Sequence, residues 1–534
     1  MKEEKIKGMI NWDLSDNQKI TLNIFSSIFN LIITIGINFF LSPYIVKNLG
    51  AEANGFTSLA NNIISYAALL KVAMNSMGSR FITLSYLKGD KEKANRYYSA
   101  LFFGDLGLSL ILTLISVCVV FRLEYLIDIS AELVADVKVL FSLLFFEFIF
   151  NTITSVWLTA TFITNKIYLD KIREIQGILV KIVVIVVAFS IFEPKIYYVA
   201  MGTVAATFIT NAYSLYYKRI LVPELKADFK YFDYKYVKKI LASGIWNSIS
   251  NLGDLLFSGL DLLMSNVFIS SFEMGVLAIS KTMPGLISSF NGTLVSVFTP
   301  ALVSNYAKDG RQAVVENAKK FSKMMIIICT IPLAFLVVYG TEFYHLWQPT
   351  QDAERLQILS VLASGATAIT AGAAAFYNIF TVVNKVKQLS IVTLITGGAS
   401  IVLTFFLVRY TDLGIIAIAG VSSVMYCLRS LLWGIPMAGK YLGMKKRTFY
   451  PIVVYNIITF VAICLMGFGL KHFIPCSSWV EIIFSGAVFG ILALGINIGI
   501  VLNRREKKAL LSSAQQMAYT ILKRNRKRKK GTRK

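Results

Sequence analysis

Residues 240–269 read ILASGIWNSISNLGDLLFSGLDLLMSNVFI. A membrane span needs about 20 mainly apolar residues, and this stretch is long enough. It carries two carboxylates, Asp254 and Asp261, and no basic residue. Wound as a helix, Ser243, Asn247, Ser250, Asn251, Asp254, Ser258, Asp261 and Ser265 share an arc of about 100°. Ile245, Leu252, Leu256 and Leu263 lie on the opposite side. A charge inside a bilayer costs about 2.5–3.5 kcal/mol on insertion scales, so this stripe does not face lipid. It faces a water-filled cavity or packs against other helices through Ser, Thr and Asn.

The rest of the chain places that span among many. Of 534 residues, 56% are hydrophobic and 16% charged. The mean hydropathy is +0.63, too apolar for a soluble chain of this length. Apolar runs are expected at 20–46, 54–77, 98–121, 137–163, 175–192, 197–217, 240–269, 276–300, 321–340, 356–381, 388–408, 415–436, 451–471 and 480–502. The expected fold is therefore an all-α polytopic membrane protein of about 14 transmembrane helices. The first run is too long for the h-region of a cleavable signal and reads as a retained helix.

Orientation follows from the basic residues. With the N-terminus inside, about 43 of the 54 Lys and Arg fall in the tails and the loops on that side. The opposite loops hold Lys47, Arg122, Lys195, Arg355 and Arg409. Both termini are expected in the cytoplasm. The net charge of +24 is mostly this asymmetry. The tail Arg524-Asn525-Arg526-Lys527-Arg528-Lys529-Lys530 reads as an anchor on anionic lipid, not as a nucleic-acid site.

The chain also repeats itself. Ser85-Tyr86-Leu87-Lys88-Gly89-Asp90-Lys91 follows the second run, and Asn305-Tyr306-Ala307-Lys308-Asp309-Gly310-Arg311 follows the eighth. Thr164-Asn165-Lys166 ends the fourth, and Val383-Asn384-Lys385 ends the tenth. Gly55 and Gly275 precede the second and eighth. Each pair stands 219 or 220 residues apart. Six runs per unit is an even number, so the repeats are parallel and related by an axis along the membrane normal. The expected domains are an N-lobe at 1–219, a C-lobe at 220–447, two further helices at 448–502 and a basic tail at 503–534. Such repeats typify secondary transporters with the substrate between the halves.

Polar faces recur at equivalent places. Asn23, Ser26, Ser27, Asn30, Thr34 and Asn38 share an arc of about 120° on the first helix. The second carries Ser58, Asn61, Ser65, Lys71, Asn75 and Ser76, and the eighth carries Lys281, Ser288, Ser289 and Ser296. Further intramembrane charges are Asp105, Glu147, Lys181 and Arg429. Lys181, Lys281 and Arg429 lie within snorkelling reach of an interface. Arg80 lies just past the second helix. Cys118, Cys329, Cys427, Cys464 and Cys476 are scattered, with no metal or redox spacing. No Walker A, HExxH or GxSxG sequence occurs, so no catalytic, metal or cofactor site is expected.

The stretch Leu49-Gly50-Ala51-Glu52-Ala53-Asn54-Gly55-Phe56 resembles a signature of polysaccharide exporters. Asn75-Ser76-Met77-Gly78-Ser79-Arg80-Phe81, with Lys88-Gly89-Asp90 and Ala94-Asn95, is similar to the Wzx-like O-antigen and capsule flippases. These belong to the multidrug/oligosaccharidyl-lipid/polysaccharide (MOP) exporter superfamily, with the multidrug and toxin extruders (MATE) and the lipid II flippases (MurJ). The resemblance implies two pseudo-symmetric six-helix lobes forming a V around a cavity, plus two C-terminal helices that add an apolar surface for a lipid tail. It implies a bacterial cytoplasmic membrane location and a substrate of undecaprenyl-pyrophosphate-linked oligosaccharide, moved by alternating access. Lys71 and Arg80 would attract the pyrophosphate, with Lys281 and Arg429 as further candidates. Asn30, Asn61, Asn247, Asn251, Asp254 and Asp261 would line the sugar cavity. Asp254, Asp261 and Glu147 are the candidates for a coupling ion, H+ or Na+. Partners would be membrane lipid, a polymerase and other glycan-assembly proteins. The rivals are a lipid II flippase or multidrug extruder and, from another class, a membrane glycan polymerase or ligase. The last would need a sizeable outer loop with catalytic Arg or His.

Overall fold

The computed structural model describes residues 16–508 except 384 and 475. The basic tail 524–530 lies outside the described residues. The chain is helical throughout, with no strand among the described residues. The rods are α1 (16–49), α2 (51–87), α3 (Lys91–Phe121), α4 (134–163), α5 (Ile167–Ile191), α6 (Tyr197–Leu221), α7 (Tyr234–Ser258, then Asp261–Phe268), α8 (Ser271–Ser280, then 282–309), α9 (311–347), α10 (353–382), α11 (Val386–Tyr410), α12 (415–441), α13 (Tyr450–Phe473) and α14 (Trp479–Val501). Among the described residues nine helical stretches are long and apolar enough to cross a membrane. One of them, Phe25–Leu87, runs through the bend at Gly50 and carries both α1 and α2.

Local signals place the breaks. Gly50 (φ 85°) turns α1 into α2. Gly89 (φ 79°) ends α2, and the Asp90 carboxylate accepts from the Lys93 amide to cap α3. Left-handed φ suits glycine because it lacks a Cβ. The Lys88-Gly89-Asp90 motif is thus a helix stop followed by a helix start. Ser270 caps α8, and Ser478 with Glu481 forms a capping box on α14.

The internal repeat is visible in the backbone. The Lys166 amide donates to Thr161 O at 2.8 Å, and the Lys385 amide to Phe380 O at 2.7 Å. Both are the six-residue closure of a helix C-terminus, 219 residues apart. Both α4 and α10 pass into a 3₁₀ stretch, at Ser155–Leu158 and Ala371–Phe376. Gly310 (φ 77°) bends the chain after α8 as Gly89 does after α2. Here the correspondence slips by one residue from the alignment of Gly89 with Asp309. Gly55 and Gly275 also meet: a Cβ at Gly55 would stand 2.8 Å from Gly275 Cα.

The compact units do not follow the boundaries at 219 and 447. Unit one holds Met1–Thr282 and Lys387–Ser422; unit two holds Met283–Val386 and Ser423–Lys534. The reason is packing by α7 and α11. A Cβ at Gly244 of α7 would run into the Ala73 carbonyl of α2. Gly253 of α7 meets Thr393 of α11, and Gly397 of α11 meets Leu256. Absent side chains let these backbones approach, so α7 and α11 join the first six helices. Unit one also has a polar clasp. Asn266 exchanges two hydrogen bonds with the Asp128 backbone, at 2.8 and 2.9 Å, and the Asp128 carboxylate accepts from the Ser271 amide.

In unit two α13 and α14 are held by buried amides. Asn456 donates to Ala368 O and Ile369 O, and Asn497 to Ile327 O and Thr330 Oγ1. Phe489, Tyr339, Val338 and Ile463 form a fully buried core there.

Candidate substrate and ion sites

The densest polar cluster lies inside unit one. Asp105 of α3 is fully buried. Its carboxylate accepts from Asn75 Nδ2 at 3.1 and 3.3 Å and from Ser155 Oγ at 2.9 Å. Ser155 also bonds Asn75 Oδ1 at 2.8 Å. Lys71, one turn before Asn75 on α2, donates to Asn151 O at 3.2 Å and lies over the Phe148 ring. Asp105 and Glu147 are within its electrostatic reach, and Lys181 is within that of Glu147. Glu147 accepts from Thr207 at 2.7 Å. Two acids and two bases from α2, α3, α4 and α5 thus lie within electrostatic reach of one another, with no direct ion pair between them. Asp105 and Asn75 each stand out in the sequence, but their pairing and the Ser155 that joins them do not.

A second cluster sits at a break in α7. The helix is interrupted at Gly259 and Leu260, where the Tyr66 hydroxyl crowds Gly259 and Asn62 donates to Gly259 O. The uniform stripe expected through 240–269 therefore ends at the break. Asn247, Asn251 and Asp254 remain exposed, and Asn247 donates to Ser76 at 3.2 Å. Beyond the break, Asp261 turns inward and is 5% exposed. Lys281 Nζ lies 2.5 Å from Asp261 Oδ2, and Ser422 Oγ is 3.2 Å from Oδ1. So Asp254 is exposed and Asp261 is buried. Lys281 turns to Asp261 instead of snorkelling away from it.

The other expected residues are spread. Asn23 and Asn30 of α1 pack toward the start of α5: Asn23 donates to Asn165 and Asn30 to Glu174 at 2.8 Å. Asn61 is exposed and bonds back to Thr57 O, and Arg80 is exposed within α2, not past its end, because the helix runs on to Leu87. In unit two Arg429 is buried, with its guanidinium 4.6 Å from the Tyr426 ring centre and 5.4 Å from that of Tyr377. A π-helical turn, Ser430–Gly434, follows it, and Tyr377 Oη lies 2.7 Å from Ser430 Oγ. Such bulges are frequent at functional sites. The aromatic partners of Arg429 lie 3 and 52 residues away in sequence, so only the nearer one is suggested by spacing.

Two grooves are apolar. In unit one Leu260, Met264 and Phe268 of α7 face Ile401 and Phe405 of α11 around about 450 Å³. In unit two Met283, Ile287, Phe335, Phe343, Gly486 and Phe489 line about 380 Å³ between α8, α9 and α14. No group of His, Cys, Asp or Glu among the described residues has metal-binding geometry.

Comparison with known proteins now separates these arrangements from a general helical bundle. The solved lipid II flippase MurJ, in an inward closed conformation, matches with a TM-score of 0.65 at 15% identity, over 90% of this chain and 98% of its own. An inward-facing multidrug resistance MATE family transporter gives a TM-score of 0.62 at 15% identity, over 77% and 95%. The chain shares the fold of these two transporters, the second of which is of the MOP superfamily. Within that MOP fold, the neighbours are transporters and flippases rather than enzymes. The chain is also 25% identical over 493 residues to the uncharacterized membrane protein EpsK of Bacillus subtilis (strain 168), spanning 92% of this chain and 97% of that one. No protein-family model matches the sequence.

Proposed function

We propose that this MOP-fold protein is a flippase for undecaprenyl-pyrophosphate-linked oligosaccharide repeat units. It crosses the bacterial cytoplasmic membrane fourteen times, with both ends in the cytoplasm, and serves surface polysaccharide synthesis as a Wzx-like exporter. The observation that carries the reading is the pairing of two chemistries in one chain. A polar face on α7, with Asn247, Asn251 and Asp254 exposed, suits sugar hydroxyls. An apolar groove lined by α14 suits a lipid tail. A free sugar needs no such groove, and a simple lipid needs no such face.

Roles follow from the geometry. Arg80 is exposed and makes the first contact with the diphosphate. Lys71 and Arg429 stand deeper, and each is already cushioned by other groups. Lys71 sits among Asp105, Glu147 and Phe148, and Arg429 between two tyrosine rings. Arginine on aromatic faces keeps its charge at modest desolvation cost, which suits a transient phosphate contact. Asp254, which is exposed, and Glu147, which is half-buried, are the carboxylates assigned to a coupling ion.

The match to MurJ supports a second reading, a lipid II flippase. Deletion of the gene separates the two. The first reading expects lipid-linked oligosaccharide to accumulate on the cytoplasmic leaflet while cells survive. Accumulation of lipid II with lysis supports the second. Unchanged pools of both lipids would overturn both.

A further inference from the structure

The linker between α6 and α7 is pinned along its length. It contains Lys226-Ala227-Asp228-Phe229-Lys230-Tyr231-Phe232-Asp233-Tyr234-Lys235. Asn95 and Ser99, one turn apart on α3 and both buried, hold its backbone. Asn95 Oδ1 accepts from the Lys226 amide at 2.7 Å. Ser99 Oγ accepts from the Asp228 amide at 3.1 Å and donates to Lys226 O at 3.3 Å. Val222 and Leu225 are buried in the core beside α3, and Phe232 packs against it. The Ala94-Asn95 motif therefore docks the segment that joins the two repeats.

One large ring stays out of that core. Phe229 is 73% exposed, although its centre lies 4.6 Å from that of Phe103 and 5.7 Å from that of Phe232. Phe103 is half-buried and belongs to the apolar run 98–121 of α3. The rings thus carry the apolar surface of a membrane span onto the linker. Lys226, Lys230 and Lys235 of the same stretch are exposed. Its two acids turn to the backbone: Asp228 accepts from the Lys230 amide at 2.9 Å, and Asp233 from the Lys235 amide at 2.8 Å.

We propose that this docked linker binds an anionic phospholipid of the bilayer. Its acyl chain covers Phe229 and Phe103, and its headgroup phosphate meets the lysines. The leaflet is the cytoplasmic one in the orientation proposed above. The site goes beyond the flippase reading and does not depend on the substrate.

Two arguments select the occupant. Aromatic rings settle at the boundary of headgroups and acyl chains, and lysines in the same segment add attraction to anionic headgroups. Residues 226–239 hold five lysines against two aspartates, so the charge fits an anion. An acidic protein would match the lysines but would not cover a ring set on a membrane span.

The test uses the full chain, with phosphatidylglycerol and phosphatidylcholine as probes. Native mass spectrometry reads which lipid stays bound. The wild type is expected to prefer phosphatidylglycerol. Lys226→Gln with Lys230→Gln and Lys235→Gln should lower that preference about tenfold or more. Lys445→Gln with Lys446→Gln and Arg447→Gln removes equal charge from the exposed loop between α12 and α13 and should leave it intact. Equal losses in the two triple variants would mean diffuse attraction and overturn the site. Asn95→Ala with Ser99→Ala keeps every lysine and should still weaken the preference; full retention overturns docking as its basis. Thermal melting checks that each variant is folded. Depth is read separately, from a nitroxide on Phe229→Cys in a cysteine-free background, in nanodiscs containing phosphatidylglycerol. The label should meet oxygen more readily than a water-soluble nickel chelate. The reverse order puts Phe229 in water, overturns the lipid site and leaves the surface to an acidic protein. None of these failures touches the flippase reading, which the deletion strain tests.

Discussion

Asp105 shows how one residue sets a membrane interior. Its carboxylate accepts from Asn75 and Ser155, so three helices meet on it. Leaving buried polar groups without their partner costs about 1–3 kcal/mol. Asp105→Ala is therefore expected to lower the melting temperature by several degrees in detergent. Asp105→Asn, which keeps hydrogen-bonding capacity, should lose less. The double variant Asp105→Leu with Lys71→Met should recover much of the loss, because no bare charge remains. A wild-type melting curve for Asp105→Ala would remove the cluster's structural role. At this scale the sequence is only half legible. Asp105, Glu147, Lys71 and Lys181 are visible as charges inside apolar runs. Their pairing is not, because it joins residues 30 to 80 positions apart through helix rotations that a single sequence leaves open.

At the scale of the helix, the decisive residues are the ones without side chains. Gly244 brings α7 against α2, and Gly275 brings α8 against the Ala51 carbonyl. Gly275→Ala and Gly244→Val each drive a carbon into backbone, which cannot yield as a side chain would. Both are expected to reduce folded protein sharply, read as the monodisperse fraction on size exclusion. Gly285 offers the contrast. It lies in α8, and a methyl added there would meet nothing within 4 Å. Gly285→Ala should be tolerated, with a gain of about 0.5–1 kcal/mol from helix propensity. If Gly275→Ala folds as well as Gly285→Ala, this contact is not a constraint. Helix positions and the repeat are readable from hydropathy and from motif spacing. The interruption of α7 is not. A periodicity of 100° per residue groups Asp261 with Asp254, and gives no sign that Asp261 is buried against Lys281 while Asp254 is exposed.

For the molecule as a whole, the distribution of charge and the repeat make one argument. Two copies of an even number of helices share one orientation, so their equivalent loops must lie on the same side. The turns after α2 and α8 each hold a glycine of positive φ, flanked by Lys88 and Lys91 in the first and by Lys308 and Arg311 in the second. Basic loops stay inside because moving them across the membrane is unfavourable during insertion. Under the proposed orientation every other loop has an expected side: Glu193, between α5 and α6, outside, and Lys230, between α6 and α7, inside; both are exposed. In a cysteine-free background, Glu193→Cys is expected to react with a membrane-impermeant maleimide in intact cells. Lys230→Cys should react only after permeabilisation. The pair also tests the helix count between them. Glu193 and Lys230 are separated by one rod, α6, so labelling of both from the same side would mean that α6 does not cross. That result would break the even number on which the parallel repeat depends, and the contact of Gly55 with Gly275 would then need another explanation.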